Sequence, residues 1–207
     1  MGKLFSCNVD ISKNAYLNWQ MVPNEVADNL ATMARSFSDA AKTLMDIILK
    51  DNTDKKADIL IFPLMYAINQ SIELYLKAIL RQIEEIQNQT ISIYKTHNIN
   101  ELYQQMVSAC KKKESRTKGL EKHLKELKLY IDELFSKIAV ANDQHPQMDF
   151  ARYPIDIDGN EQFYIVLDNN VVIDVENLQN RFKEINESLS SLYSLYQEEA
   201  EAHKLHE

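Results

Sequence analysis

An arginine and a histidine, Arg116 and His123, come closest to a catalytic pair in residue type and spacing. Six residues intervene, which on a helix separates the side chains by about two turns. A histidine can act as general acid or base on a 2′-hydroxyl or a leaving oxygen, and an arginine stabilises phosphorane-like charge through paired donors. This chemistry needs no metal ion. A packing role is the alternative, because His123 lies between Leu120 and Leu127 on an apolar stripe.

The sequence around this pair is strongly basic. Between Lys111 and Lys128 lie eight positively and three negatively charged residues, in a protein whose formal net charge is −8. Such a patch could hold a phosphate backbone that the acidic surface repels elsewhere. The residues expected to contact an RNA backbone are Lys111, Lys112, Lys113 and Lys118. The other interpretation is a solvated loop and helix face.

A second candidate site begins with a polar stripe on an otherwise apolar helix. Its members, at three- and four-residue spacing, are Tyr66, Asn69, Gln70, Glu73 and Lys77. One interpretation is an ordinary hydrogen-bonded edge, in which a Glu73–Lys77 pair stabilises the helix by about 0.2–0.5 kcal/mol. In the other, the stripe faces a cleft, and Glu73 and Lys77 are binding residues.

His97, Arg152 and Tyr153 are expected to complete this cleft. His97 could reach Glu73, which would orient its imidazole; the alternative is a buried hydrogen bond that fixes the turn between two helices. Arg152 could bind a carboxylate such as Glu73, or a phosphate. Pro154 is expected to fix a sharp corner here, with Tyr153 packed against it.

Regularly spaced apolar residues predict the helices that must position these side chains. The predicted helices begin at Asn24 and cover Ala57–Gln87, Ile99–Lys112 and Gly119–Ala141, with a last one after Asp174. β-branched and aromatic residues from Gln162 to Leu167, a turn, and Val171–Ile173 predict a short β-hairpin before that last helix. The apolar heptad stripe of the last helix either packs into the core or mediates self-association.

The ends of the chain are expected to add little to the bundle. Residues 1–22 form a leader predicted to lie against the helices, with Trp19 as an anchor. Residues 197–207 are expected to fray. No linker divides the sequence, so we expect one domain covering residues 1–207.

Composition restricts the class of protein. Three Gly and four Pro among 207 residues favour an all-α fold and exclude the Gly-rich loops of Rossmann and P-loop enzymes. Cys7 and Cys110 lack metal-ligand spacing and are typical of a reducing cytoplasm. The longest apolar run, Ile59–Ile68, is interrupted by Pro63 and is too short to span a bilayer. We therefore expect a cytoplasmic protein without metal, cofactor or membrane attachment.

Two segments resemble the HEPN superfamily (higher eukaryotes and prokaryotes nucleotide-binding). Phe62–Leu102, FPLMYAINQSIELYLKAIL…KTHNINEL, carries a central Glu, a Lys four residues on and a Thr-His-Asn helix start. Phe150–Gly159, FARYPIDIDG, carries an Arg-Tyr-Pro corner. HEPN domains are small helical domains common in prokaryotic defence and toxin–antitoxin loci.

This resemblance implies an up-and-down bundle of about five helices and a homodimer. One implied function is a non-catalytic module of a prokaryotic defence or stress system that binds a nucleotide or a partner protein such as an antitoxin. The other is a metal-independent ribonuclease or toxin. HEPN ribonucleases carry an Arg followed a few residues later by a His, and Arg116 and His123 stand at the edge of that spacing.

Overall fold

The computed structural model describes residues 4–88, 96–111, 117–139, 149–156 and 158–205. These residues form helices α1 (Val26–Lys50), α2 (Ala57–Gln87), α3 (Ile99–Lys111), α4 (Thr117–His123), α5 (Lys125–Ala139), α6 (Phe163–Val166) and α7 (Val175–Lys204). Within the described ranges, β-type pairing is limited to an isolated antiparallel bridge between Ile155 and Glu161. The predicted all-α class is confirmed.

The central helix of the bundle is α2. Every residue from Ser71 to Leu80 is buried, because α1, α3 and α7 pack around it. Its fully buried apolar side chains include Ile68, Ile72, Leu76 and Ile79, and each contributes roughly 1.5–3 kcal/mol by leaving water. Among the described helices, α2 alone is long and apolar enough to span a bilayer. Of its most apolar 18-residue segment, 61% is buried inside the protein.

The helices around α2 run in both directions. The hydroxyl of Ser71 in α2 donates to the carbonyl of Ala34 in α1 at 2.9 Å. Gln179, near the start of α7, donates to Asp46, near the end of α1, at 2.9 Å. Because Lys204 at the other end of α7 lies 4.0 Å from Glu25, α1 and α7 are antiparallel.

The third helix departs from the expected up-and-down order because α3 runs parallel to α2. His97, just before α3, contacts Glu73 at 3.0 Å, and the carbonyl of Ala109, near its end, accepts from Gln87 at 3.4 Å. As a result, the start of α3 lies beside the middle of α2, where the polar stripe is.

A helical turn, α6, stands in place of the predicted β-hairpin. The N–H of Ile165 donates to the carbonyl of Gln162 at 2.8 Å. Phe163 is buried, and its ring centroid lies 5.5 Å from that of Phe150. Packing against Phe150 therefore takes the place of strand pairing with Val171–Ile173, and it overrides the β propensity of these residues.

The leader differs from the expected packed segment. Trp19 is 79% exposed, and its ring lies 6.3 Å from that of Tyr16 rather than in the core. The side chain of Asn29 bonds the backbone N–H and carbonyl of Val22 at 2.8 and 2.7 Å, which ties the end of the leader to α1. The buried face of α1 is covered by α2 and α7 rather than by the leader.

The last helix extends further than expected. It reaches Lys204, with Ala200 2% exposed and Lys204 3.2 Å from Glu85, where fraying was predicted. The residues of its heptad stripe that are buried within the chain are Leu178, Phe182, Ile185, Leu189, Leu192 and Tyr196. Of the two interpretations of this stripe, packing into the core is the one the structure shows.

Candidate ligand-binding cleft

A cavity of about 250 Å³ lies against the polar stripe of α2. Its walls come from α2, from the start of α3 and from the corner before α6. The lining residues are Tyr66, Asn69, Gln70, Glu73, His97, Ile99 and Arg152. The structure thus brings Glu73, His97 and Arg152 around one cavity, while Lys77 contacts Glu73 and Tyr153 contacts Arg152.

Glu73 is the buried centre of this cluster. Its Oε1 accepts hydrogen bonds from Lys77 Nζ at 2.7 Å and from His97 Nδ1 at 3.0 Å. Glu73 and Lys77 are buried, so the two opposite charges pair where an isolated charge would be costly. A carboxylate can only accept, so Nδ1 of His97 is the donor in this contact. With its side chain 78% exposed, the ring is accessible to a ligand.

The start of α3 holds His97 in this position. Oδ1 of Asn98 caps the helix by accepting from the N–H groups of Asn100 and Glu101 at 2.9 and 3.2 Å. The hydroxyl of Thr96 accepts from the N–H of Asn98 at 3.0 Å. His97 therefore stands between two residues whose side chains are bonded to the backbone.

Arg152 supplies the positive charge of the cleft. Its guanidinium carbon lies 5.8 Å from the ring centroid of Tyr66 and 5.5 Å from that of Tyr153, distances typical of cation–π contacts. Within the described part of the chain, Arg152 forms no ion pair with a carboxylate. Glu73, the expected carboxylate partner, is bonded to Lys77 and His97 instead.

Hydrogen bonds fix the corner that carries Arg152. The N–H groups of Arg152 and Tyr153 donate to the carbonyl of Asp149 at 2.7 and 3.0 Å. The hydroxyl of Tyr164 in α6 donates to the carbonyl of Phe150 at 3.1 Å. Burial raises the pKa of Tyr164, so this hydroxyl keeps its proton. The position of Arg152 therefore depends on the packing of α6.

Asn69 is a member of the polar stripe that was not among the predicted binding residues, and it also lines the cleft. It is 6% exposed, and its Oδ1 accepts from the hydroxyl of Tyr130 in α5 at 2.7 Å. Its Nδ2 has no hydrogen-bond partner among the described residues. A buried donor left unpaired costs about 1–3 kcal/mol, and a ligand acceptor in the cavity would offset that cost.

The spacing of the stripe on α2 placed Asn69 beside the predicted binding residues, since it lies four residues before Glu73. Tyr130 carried no such signal, because it is 61 residues away in sequence. A contact of that kind depends on how α5 packs on α2.

Of the predicted catalytic pair, only His123 falls within the described residues. It ends α4, and its side chain is exposed, whereas Leu120 and Leu127 are buried. The exposed ring contradicts the packing interpretation of His123. The predicted residues Arg116, Lys112 and Lys113 lie outside the described residues, as do the side chains of Lys111 and Lys118.

Comparisons with known proteins found no match for the chain among family models, curated proteins or solved structures. Among the described residues, no group of three or more His, Cys, Asp or Glu is placed to hold a metal ion. The function must therefore be inferred from the chemistry of the cleft residues.

Proposed function

We propose that this chain is an HEPN-like module that binds a nucleotide in the cleft beside α2. The observation that carries the proposal is the Arg152 guanidinium, held at the Tyr66 ring and without a carboxylate partner in the described ranges. A guanidinium presents paired N–H donors that match a phosphate. In a protein of net charge −8, such a group favours the binding of an anion beside it.

The other walls of the cleft suit the rest of a nucleotide. Tyr66 and Ile99 offer flat and apolar surface for a base, and Nδ2 of Asn69 offers a donor. The volume of about 250 Å³ falls just below the ~300–1,000 Å³ typical of ligand pockets, which favours a mononucleotide. Glu73 already accepts two hydrogen bonds, so we propose a binding role for the cleft rather than a catalytic one.

Calorimetric titration with nucleoside monophosphates tests this proposal. A charge-assisted hydrogen bond is worth about 1.5–3 kcal/mol, so Arg152→Gln should weaken binding roughly 10- to 100-fold. The matched control is Arg35→Gln, because Arg35 is an exposed arginine on α1; it should change affinity less than about twofold. Absence of binding to the wild type, or equal losses in the two variants, would refute the proposal.

Metal-independent RNA cleavage is the second candidate, and the exposure of His123 favours it. His123 ends α4 between the exposed residues Lys122 and Lys125. A residue that acts on RNA must be accessible in this way, and neighbouring lysines favour a phosphate backbone. Purified protein would be incubated with total RNA in EDTA. Cleavage by the wild type that disappears in His123→Ala and persists in His97→Ala would support this function and separate it from the cleft.

The resemblance to HEPN domains extends the proposal to the biological setting. We propose a cytoplasmic homodimer that acts in prokaryotic defence or stress, with an antitoxin-like protein as a partner. Light scattering of the purified chain, which should give twice the monomer mass of 24.1 kDa, tests the dimer.

A further inference from the structure

The bond between Tyr130 and Asn69 determines which end of the Asn69 amide is available to a ligand. The buried hydroxyl of Tyr130 donates to Oδ1 of Asn69 at 2.7 Å. Burial raises the pKa of Tyr130, so the hydroxyl keeps its proton at neutral pH and continues to donate. In a flipped amide, this buried O–H would lose its acceptor. Nδ2, which has no partner among the described residues, is therefore the end left for the ligand.

Burial decides which part of a nucleotide meets Asn69. Asn69 and Ile99 are 6% and 1% exposed, whereas the side chain of Arg152 is exposed. Moving a phosphate away from water costs far more than moving a neutral base. The phosphate therefore stays with Arg152 at the exposed side of the cleft, and the base lies against Ile99 and Asn69.

The edges of the bases differ in what they offer to an amide N–H. Hypoxanthine and guanine carry an oxo acceptor at C6 and uracil carries one at C4, while adenine and cytosine carry an amino donor at the same positions. With Oδ1 of Asn69 bonded to Tyr130, an amino group would meet the N–H donors of Nδ2. A mismatch of two buried donors leaves both unpaired.

We propose that Asn69, oriented by Tyr130, makes the cleft select nucleotides with an oxo base over nucleotides with an amino base. The proposal rests on the proposed nucleotide function and adds its specificity. Asn69 is the residue that touches the base, and Tyr130 is a positioning residue.

Two matched ligand pairs test the selection: inosine against adenosine monophosphate, and uridine against cytidine monophosphate. The members of each pair differ mainly by an oxo or amino group and have the same charge. The oxo member should bind wild type at least about tenfold more tightly. Tyr130→Phe, which frees the amide to rotate, should reduce this ratio to less than about threefold. Arg152→Gln should weaken both members and leave the ratio unchanged.

Asn69→Asp provides a second variant of nearly unchanged size. The hydroxyl of Tyr130 retains an acceptor in this variant, and the donor end is replaced by an acceptor. The preference for the oxo member should disappear or reverse, in protein whose circular dichroism matches the wild type. Equal affinity of wild type for the members of both pairs would overturn the selection while nucleotide binding stands. Failure of all four ligands to bind would overturn the nucleotide function itself.

Discussion

Replacing Glu73 by glutamine removes the negative charge that the buried Lys77 ammonium contacts at 2.7 Å. Lys77 is 5% exposed, so water cannot readily take over the role of the carboxylate. Breaking a buried ion pair by removing one partner costs about 3–5 kcal/mol. Because the glutamine oxygen still accepts a hydrogen bond from Lys77, we expect a loss near the lower limit, about 3 kcal/mol.

The reverse substitution, Lys77→Met, should cost less. Glu73 then keeps the hydrogen bond from His97 at 3.0 Å, and we expect a loss of about 2 kcal/mol. The double variant has no charge at either position and should lose only about 1–2 kcal/mol. The cycle would then give a coupling energy of about 3–4 kcal/mol.

Urea unfolding followed by circular dichroism at 222 nm measures these losses. With a slope of about 2 kcal/mol per molar urea, a loss of 3 kcal/mol lowers the midpoint by roughly 1.5 M. The control is Asp39→Asn, which breaks an ion pair with Lys42 at 3.4 Å whose side chains are 76% and 46% exposed; it should cost less than about 0.5 kcal/mol. Two results would show that Glu73 and Lys77 are not a desolvated pair. One is a loss of stability in Glu73→Gln no larger than in this control; the other is a loss in the double variant equal to the sum of the two single losses.

Three further substitutions test the bundle. Burial raises the pKa of Tyr130, so its contribution to stability is full below about pH 10, the pKa of an unfolded tyrosine, and falls above that pH by up to ~1.4 kcal/mol per pH unit. Tyr130→Phe should therefore make the urea midpoint fall less steeply above about pH 10, and an unchanged slope would contradict the burial of this hydroxyl. Asp174→Ala removes the cap that accepts from the N–H of Asn177 at 3.0 Å and should cost about 1 kcal/mol in a urea titration, whereas a loss below about 0.3 kcal/mol would show that the cap is dispensable. Phe182→Ala, at a side chain 1% exposed, should cost about 3–5 kcal/mol by the same assay; a loss near 1 kcal/mol would mean that the core closes over the gap.

Local patterns in the sequence predicted those parts of the fold that local chemistry determines. The range Ala57–Gln87 for α2 was correct, because its apolar spacing continues over many turns. The start of the last helix after Asp174 was correct for a similar reason, since the Asp174 side chain caps it by accepting from the backbone N–H three residues on. Gln162–Leu167 was misjudged because β propensity depends on a pairing partner, and here Phe163 packs on Phe150 instead.

The cleft shows the same division between local and long-range information. Glu73 and Lys77 are one helical turn apart, so their proximity followed from spacing alone. The contact of His97 with Glu73 required α3 to run parallel to α2, which no local pattern encodes. The orientation of the Asn69 amide depends on Tyr130, in a helix that is distant in sequence. Local patterns thus indicated which residues could bind a ligand, and tertiary packing determines how they bind it.

The salt dependence of binding distinguishes the two proposed functions, because a mononucleotide in the cleft would contact one cation and an RNA strand on the basic stretch would contact several. In the cleft, Lys77 is paired with Glu73, so Arg152 is the cation that the described residues offer to a ligand. A mononucleotide carries no condensed counterions, so its binding through one arginine predicts a shallow slope, between 0 and about −1, for log affinity against log salt concentration. The stretch between Lys111 and Lys128 has eight positive residues, and contacts from four or more of them predict a slope of about −3 or steeper for single-stranded RNA.

Titrations of a mononucleotide by calorimetry and of an RNA oligomer by fluorescence anisotropy, at several salt concentrations, measure both slopes. A shallow slope for the mononucleotide in the wild type, together with weakened or lost binding in Arg152→Gln, would assign the phosphate to the cleft. A steep slope for the RNA oligomer that Arg152→Gln leaves unchanged would assign RNA binding to the basic stretch, because a single arginine neutralises too few phosphates to produce it.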